Sequence, residues 1–403
     1  MQKWHLAGIK YILIAMSFIA ILHYASAHAN PVYDVSKPHH TPTGFQNNYV
    51  KAVDKSFGDL LRWQWASRGL PKPPQQPTPV VPPQLALIQA RIENASENVS
   101  FVPGPLAPST QTGSPGHPAL PTVTWIGHAT TLVQANGLNV LTDPIFSDRA
   151  APVQLFGPKR AQPPGVAMAD LPPIDAVLIS HNHYDHLDRA SVALLDERAK
   201  AAGKTTVFIV PLGLKTWFTD IGITSVVELD WWQHHTLKGV DFHLTPVQHW
   251  SARGVGNRNS TLWGGWAVLG PDFHWYYAGD TGYSRDFADT RAKFAAQQTA
   301  ERGGDFDLAL IPIGSYEPRW FMSQQHVNPM ESVRIHQDVG AKRSIGVHWG
   351  TFSLTDEPLD QPPRELAIAR QALGVKATDF GILAIGESRQ FGKRTPSTAL
   401  AAR

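Results

Sequence analysis

The sequence predicts an α/β sandwich, and three observations carry that expectation. From Thr122 onward, short apolar runs of strand length alternate with longer segments of helical pattern. Residues suited to metal binding and acid–base chemistry cluster just after the predicted strands, where α/β folds place their sites. Residues 30–121 show neither pattern and are rich in Pro, which reads as an N-terminal arm rather than a second core.

The 403 residues suffice for one large domain or two modest ones. Residues 123–126 and 137–141 read as a strand hairpin. Residues 176–180 read as a short buried strand ending in a His-rich turn, and 191–200 as a helix. Further strands are expected over 207–210, 226–229, 242–246, 263–269, 273–278, 308–312, 344–348 and 381–385. Helices are expected over 328–339, where Pro329 suits an early helix position, and over 364–373. Within the arm, 56–67 reads as a short helix and 71–83 as an extended polyproline-like stretch. The arm is expected to pack over the main domain and give cover to Trp63, Trp65 and Phe101. The expected main domain is 122–393, followed by a tail over 394–403.

Residues 1–29 read as a cleaved signal peptide. Lys3 and Lys10 flank the start, an apolar run covers 11–22, and small-x-small sites follow at Ala25-Ser26-Ala27 and Ala27-His28-Ala29. That run is short for a membrane-spanning helix, so export to a periplasm or envelope is the expectation.

Composition narrows the chemistry. There is no cysteine, so thiolate zinc sites, thiol nucleophiles and disulfides are excluded, and any metal must be held by His, Asp or Glu. The formal net charge is +2 and no Lys/Arg run occurs, so no nucleic-acid partner is expected.

The sharpest signal is Ser180-His181-Asn182-His183-Tyr184-Asp185-His186-Leu187-Asp188, an H-x-H-x-D-H pattern after a buried strand. Alternate residues of an extended turn point the same way, so His181 and His183 can share one metal. Asp185 and His186 then face a second. Imidazole and carboxylate donors suit Zn²⁺. Three later residues at strand ends complete the set: His249, Asp280 and His348. The assignment expected is His181, His183 and His249 on one zinc, Asp185, His186 and His348 on another, and Asp280 bridging both. Two zinc ions roughly 3.5–4 Å apart generate a nucleophile from water at neutral pH and clamp a displacement at phosphorus or carbon. Asp143, in Leu141-Thr142-Asp143-Pro144, is a candidate for orienting the ligand loop, with a turn-forming Asp before Pro as the plain alternative. His128 is placed to line the site. His39, His40, His117, His234, His235, His243 and His274 read as peripheral.

Long stretches around these residues resemble N-acylphosphatidylethanolamine-hydrolysing phospholipase D, a family with the metallo-β-lactamase fold. They include Trp125-Ile126-Gly127-His128-Ala129-Thr130, residues 171–188 (LPPIDAVLISHNHYDHLD), Glu228-Leu229-Asp230-Trp231-Trp232, residues 311–322 (IPIGSYEPRWFM), Gln325-His326-Val327 and His348-Trp349-Gly350. The likeness spans about 122–390, with a weaker echo over 41–70. It implies a four-layer αβ/βα sandwich and hydrolysis of an N-acylated phosphatidylethanolamine to phosphatidic acid and an N-acylethanolamine. It also implies substrate-positioning roles for Tyr184, Gln325 and His326, with His326 a candidate proton donor to the leaving group. Family members act on phospholipid at a membrane surface and form homodimers, so the resemblance implies both here. Trp217-Phe218, Trp231-Trp232 and Trp320-Phe321-Met322 are candidates for an apolar landing face. The alternative function is a hydrolase of the same fold acting on a lactone or small phosphodiester.

Overall fold

Apolar alternation from Thr122 onward resolves into two facing sheets in the computed structural model, which describes residues 29–50, 55–68, 78–89, 120–254 and 256–395. Residues 1–28, the polyproline-like 71–77, Phe101, His117 and the tail from 396 lie outside the described residues. In the arm, β1 (His40–Thr41) and β2 (Gly44–Phe45) precede α1 (Phe57–Ser67) and α2 (Leu85–Gln89). The first half of the domain contains β3 (Thr122–Gly127), β4 (Thr130–Ala135), β5 (Leu138–Thr142), β6 (Ala176–Leu178), α3 (Arg189–Ala201), β7 (Val207–Pro211), α4 (Lys215–Asp220) and β8 (Val226–Leu229). The second half begins with β9 (His234–Leu237), β10 (Val240–Thr245), β11 (Gly265–Leu269), β12 (His274–Tyr277) and α5 (Asp286–Phe294). It ends with β13 (Leu308–Pro312), α6 (Arg319–Met322), α7 (Pro329–Asp338), β14 (Ser344–Val347), α8 (Gln361–Leu373), β15 (Phe380–Gly381) and β16 (Ser388–Gln390).

One seven-stranded sheet has the order β16-β3-β4-β5-β6-β7-β8, and the other the order β15-β14-β13-β12-β11-β10-β9. Residue alternation explains why both faces of the first sheet are dry. Val133, Val140, Leu178 and Ile209 point into the core between the sheets, against residues such as Phe242, Trp266 and Leu310. Their neighbours Leu132, Leu141, Val177, Phe208 and Val210 point the other way, onto Val192 and Leu195 of α3 and Phe218 of α4. Burying each such side chain stabilises the fold by roughly 1.5–3 kcal/mol. The expected α/β sandwich is what forms, with helices outside paired sheets.

Three expectations need correction. The strand pair over 123–126 and 137–141 is not a direct hairpin, because β4 lies between them and pairs with both. Of the strand expected over 381–385 only Gly381 belongs to one, β15, and the residues after it connect to β16 on the other sheet. Gly386 turns at φ 89, and Ile385 bridges Val80 of the arm, so β16 leaves to pair with β3. Trp65 stands 75% exposed on α1 instead of finding cover, while Trp63 packs on Phe321 at 4.9 Å.

Buried indoles explain why Trp is common near the motifs. Trp125 Nε1 donates to His128 O at 2.9 Å, Trp266 to Ile179 O at 3.1 Å, and Trp263 to Val247 O at 3.0 Å. Each ties a loop that leads toward the polar cluster to the core beneath it, and gives a buried indole N–H its partner. No helix among the described residues is long and apolar enough to cross a membrane.

Candidate metal centre

All the candidate ligands leave the carboxyl ends of strands. Asp143 follows β5, residues 180–186 follow β6, His249 follows β10, Asp280 follows β12 and His348 follows β14. The two sheets deliver these loops to one rim. Gly279 makes the delivery of Asp280 tight: it sits at φ +60, and a Cβ there would lie 2.7 Å from the Ser180 Cβ. Three non-glycine residues in this rim, His128, Asp143 and His348, hold φ of 52°, 34° and 59°. Such conformations cost on the order of 1–3 kcal/mol each and persist only where the surroundings impose them.

His181, His183 and His249 form one group. The Nδ1 of His249 faces Gln325 O at 2.9 Å, and the Nδ1 of His181 faces Ser180 Oγ at 2.9 Å, a hydroxyl that itself donates to Asp143. Both Nδ1 atoms therefore carry the proton, and both Nε2 atoms present bare lone pairs. Those lone pairs converge on the Nδ1 of His183, at 2.7 Å from His181 and 3.3 Å from His249. Burial pushes His183 and His249 down to about 3 and His181 well below its ordinary value, so the three rings are neutral donors.

A second group contains Asp185, His186 and His348, with His128 behind it. His186 Nδ1 donates to Asp143 at 2.7 Å, which turns Nε2 toward His348 Nε2, 3.1 Å away. Asp185 lies 3.4 Å from both Nε2 atoms and accepts from His128 at 3.0 Å. Burial opposes charge on His348, yet Asp280 and Asp185 overcome it and push the ring up to about 9. His186 is held well above its ordinary value against burial by Asp280 and Asp185. Burial and the neighbouring His348 push His128 down to about 3.

Asp280 stands between the groups. Its Oδ2 is 3.1 Å from His186 Nε2 and 3.9 Å from the Nε2 atoms of His181 and His249, while its Oδ1 is 3.1 Å from His348 Nε2. Despite burial, His186 and His348 keep its carboxyl well below the usual range. The donor set fits metal ions. A zinc with ligands at ~2.0–2.1 Å spaces tetrahedral donors roughly 3.3 Å apart. Facing nitrogen lone pairs in a buried site repel unless a proton or cation lies between them.

Asp143 takes the more demanding of its two expected roles. Fully buried, it accepts from Ser180 N and His186 Nδ1, both at 2.7 Å, and from Ser180 Oγ and Tyr277 Oη. His326 Nδ1 is buried without a protein partner and lies 3.8 Å from Asp280 Oδ2. Gln325 reaches the cluster through its carbonyl, since its side-chain amide turns to Met322 Sδ at 3.2 Å. Tyr184 is half-buried, its hydroxyl donating to Arg253 O at 2.7 Å and its ring lying 4.1 Å beneath the Arg253 guanidinium. Arg253 in turn donates to Asn182 O and Leu187 O, bracing the H-x-H-x-D-H turn. Neither Arg253 nor Tyr277 was visible as a site residue in the sequence. His39 and His40, read as peripheral, are buried and bind Asp230.

Replacing Asp143 by Ala strips buried partners from Ser180, His186 and Tyr277 at once. Metal affinity is expected to fall about 10–100-fold. Competition with a chromophoric chelator measures it, and wild-type affinity would reduce Asp143 to a turn residue.

Comparison with known proteins agrees with this geometry. Residues 138–349 match the family described as "Beta-lactamase superfamily domain". The chain is 41% identical over 277 residues to N-acyl-phosphatidylethanolamine-hydrolyzing phospholipase D 1 of Caenorhabditis elegans, covering 66% of this chain and 74% of that protein. It is 36% identical over 262 residues to the mitochondrial N-acyl-phosphatidylethanolamine-hydrolyzing phospholipase D of Saccharomyces cerevisiae, where it spans about half (52%) of the yeast protein's length. A metal-dependent hydrolase of Methanopyrus kandleri is 29% identical over 270 residues and covered to 98%. Among solved structures, an isothiocyanate hydrolase from Delia radicum gut bacteria superposes with a TM-score of 0.51 at 17% identity, covering 67% of this chain and 99% of its own, a likeness of fold alone. With its paired sheets and its rim of imidazoles and carboxylates, the chain belongs to the N-acylphosphatidylethanolamine-hydrolysing phospholipase D family of the metallo-β-lactamase superfamily and is a metal-dependent hydrolase.

Proposed function

We propose that this protein is a dinuclear zinc phosphodiesterase of phospholipase D type, hydrolysing N-acylphosphatidylethanolamine to phosphatidic acid and an N-acylethanolamine. One observation carries the reading: ring nitrogens of five imidazoles converge in two groups with Asp280 between them. In this reading His181, His183 and His249 hold one ion, Asp185, His186 and His348 the other, and Asp280 contacts both. Two zinc ions there would polarise the phosphodiester and supply a nucleophile from water at neutral pH. The chain's own residues do the rest. Asp143, Ser180 and the Gln325 carbonyl fix ring tautomers, and the buried rim excludes bulk water. In this reading His326, its Nδ1 3.8 Å from Asp280 Oδ2, is the residue that meets the substrate beside the metals. Burial pushes it down to about 3, which favours the neutral ring, so as a proton donor it would first have to take up a proton within the site.

The deciding experiment counts zinc per chain in purified protein, then offers N-acylphosphatidylethanolamine and follows phosphatidic acid. Two zinc ions with phosphatidic acid release support the proposal. Two zinc ions without release redirect the site to lactones or small phosphodiesters, and no stoichiometric metal overturns the dinuclear reading. His326→Ala is expected to cut turnover about 10²–10⁴-fold with both metals retained. Loss of one metal in this variant would make His326 a ligand.

A lipid substrate requires contact with a bilayer, and the structure narrows the candidate landing face. Phe218, Trp231, Phe321 and Met322 are buried and Trp217 and Trp232 half-buried, which leaves Trp320 as the exposed member of that group. Trp320 instead joins α1, where Leu61 and Trp65 are exposed and Arg62 lies 4.9 Å from the Trp320 ring. Lys55 and Arg68 flank the same aromatic surface. Exposed Trp and Leu ringed by cations suit the interface of an anionic bilayer. The double substitution Trp65→Ala, Trp320→Ala should weaken binding to phosphatidylethanolamine vesicles containing anionic lipid by about tenfold or more. Turnover of detergent-dispersed substrate should persist, and unchanged vesicle binding would remove this surface from the docking role.

A further inference from the structure

The His249 ligand is held from a place the metal-binding motifs do not reach. Asn47, in the arm, is 3% exposed and lies 202 positions earlier in the chain. Its side-chain Nδ2 donates to His249 O at 2.9 Å, and its Oδ1 accepts from His249 N at 3.0 Å. The same Oδ1 accepts from Trp263 Nε1 at 3.0 Å. The orientation of this amide is unambiguous, because one end meets two N–H groups and the other meets a carbonyl. Only a carboxamide offers a donor and an acceptor at this spacing, so Asn47 pairs both backbone groups of His249 as a neighbouring strand would. With Nδ1 committed to Gln325 O, the histidine is fixed at its backbone and at its ring.

The rest of the arm keeps Asn47 in place. Lys37, His39 and His40 all bind the Asp230 carboxylate, and the His39 ring stacks on Trp231 at 4.4 Å. Phe45 N donates to Asn259 O at 2.9 Å, where Gly44 passes so close that a Cβ would fall 2.1 Å from that oxygen. Beyond Asn47, Asn48 donates to Asp286 at 2.8 Å and Tyr49 to Asp289. Residues 30–49 thus run as a strap across the mouth of the β10 loop, bonded on both sides of Asn47. His39, His40 and Asp230 also lie close enough to suggest a further metal site, but here each imidazole contact of 2.7 and 3.0 Å is an N–H···carboxylate hydrogen bond, and Lys37 already neutralises the carboxylate.

We propose that the arm is a working part of the metal centre, and that Asn47 is a positioning residue that holds His249 for the ion shared with His181 and His183. The proposal rests on the ligand assignment given above. Losing the amide leaves His249 N and O buried without partners, so the loop relaxes and the site loses its preformed third donor.

The test measures cobalt(II) and zinc affinity for each of the two positions by stepwise chelator competition, with the cobalt d–d spectrum as a second readout. Asn47→Ala should weaken one position about 10–100-fold, change its cobalt spectrum, and leave the other position as in the wild type. Asn47→Asp, which keeps the shape and the acceptor but loses the donor, should fall between. It also serves if the alanine variant does not fold. Asp230→Asn, which loosens the far end of the strap, should weaken the same position less than Asn47→Ala does. Wild-type affinities at both positions in Asn47→Ala and Asn47→Asp, with two metals in the unmodified protein, would overturn the proposal and leave the dinuclear reading standing. A wild-type protein without two metals would overturn the dinuclear reading itself.

Discussion

The buried carboxylate of Asp143 is the constraint on which the rim is built. It ends β5 in a left-handed conformation, fully excluded from water, and accepts from the neighbouring β6 loop, from His186 and from Tyr277 of the opposite sheet. One group therefore joins both sheets and sets the tautomer of an imidazole. A buried anion is costly unless it is fully hydrogen-bonded, and here four donors from two strand ends surround it. That satisfaction makes the unusual backbone at Asp143 tolerable and leaves His186 only one direction in which to offer its free nitrogen.

The same logic recurs around the centre. His181 is oriented through Ser180, His249 through Gln325 and Asn47, and Asp185 through His128. Three ligand rings, His181, His186 and His249, are thus oriented by the protein itself, while His183 Nε2 and His348 Nδ1 are buried without a hydrogen-bond partner. Binding energy from an incoming metal is then not spent on ordering those three rings, which is what preorganisation means for a site assembled from five separate loops. The charges report the same design: Asp280 and Asp185, drawn together in a dry rim, raise the proton affinity of His186 and His348 against the effect of burial.

Much of this was legible in the chain, and the reasons for the gaps are physical. The H-x-H-x-D-H turn is local, so period-two geometry after a buried strand sufficed to propose it. His249, Asp280 and His348 were found because each follows an apolar strand. Strand β9 was missed because it is a polar edge with exposed and half-buried residues, which carries no apolar alternation. Strand β4 was missed because the pair of strands around it fitted a simple hairpin. Asn47, Tyr277 and Arg253 act on partners far away in sequence through single hydrogen bonds, and no spacing rule encodes such a contact. The tryptophans misled in part: Trp231 reads as a membrane anchor but spends its indole N–H on Trp263 O in the core.

Trp250 has a different significance. Its indole stands edge-on to His183 at 4.2 Å, and Arg258 lies 4.1 Å from the same ring. A fluorophore is thereby fixed beside the imidazole whose nitrogen the other two rings of its group approach. An ion with an open d shell at that nitrogen would quench the indole, whereas a filled-shell ion would not. One of the chain's thirteen tryptophans thus stands as an optical label at its centre, so the occupancy and electronic character of the bound metal act on the Trp250 share of the emission.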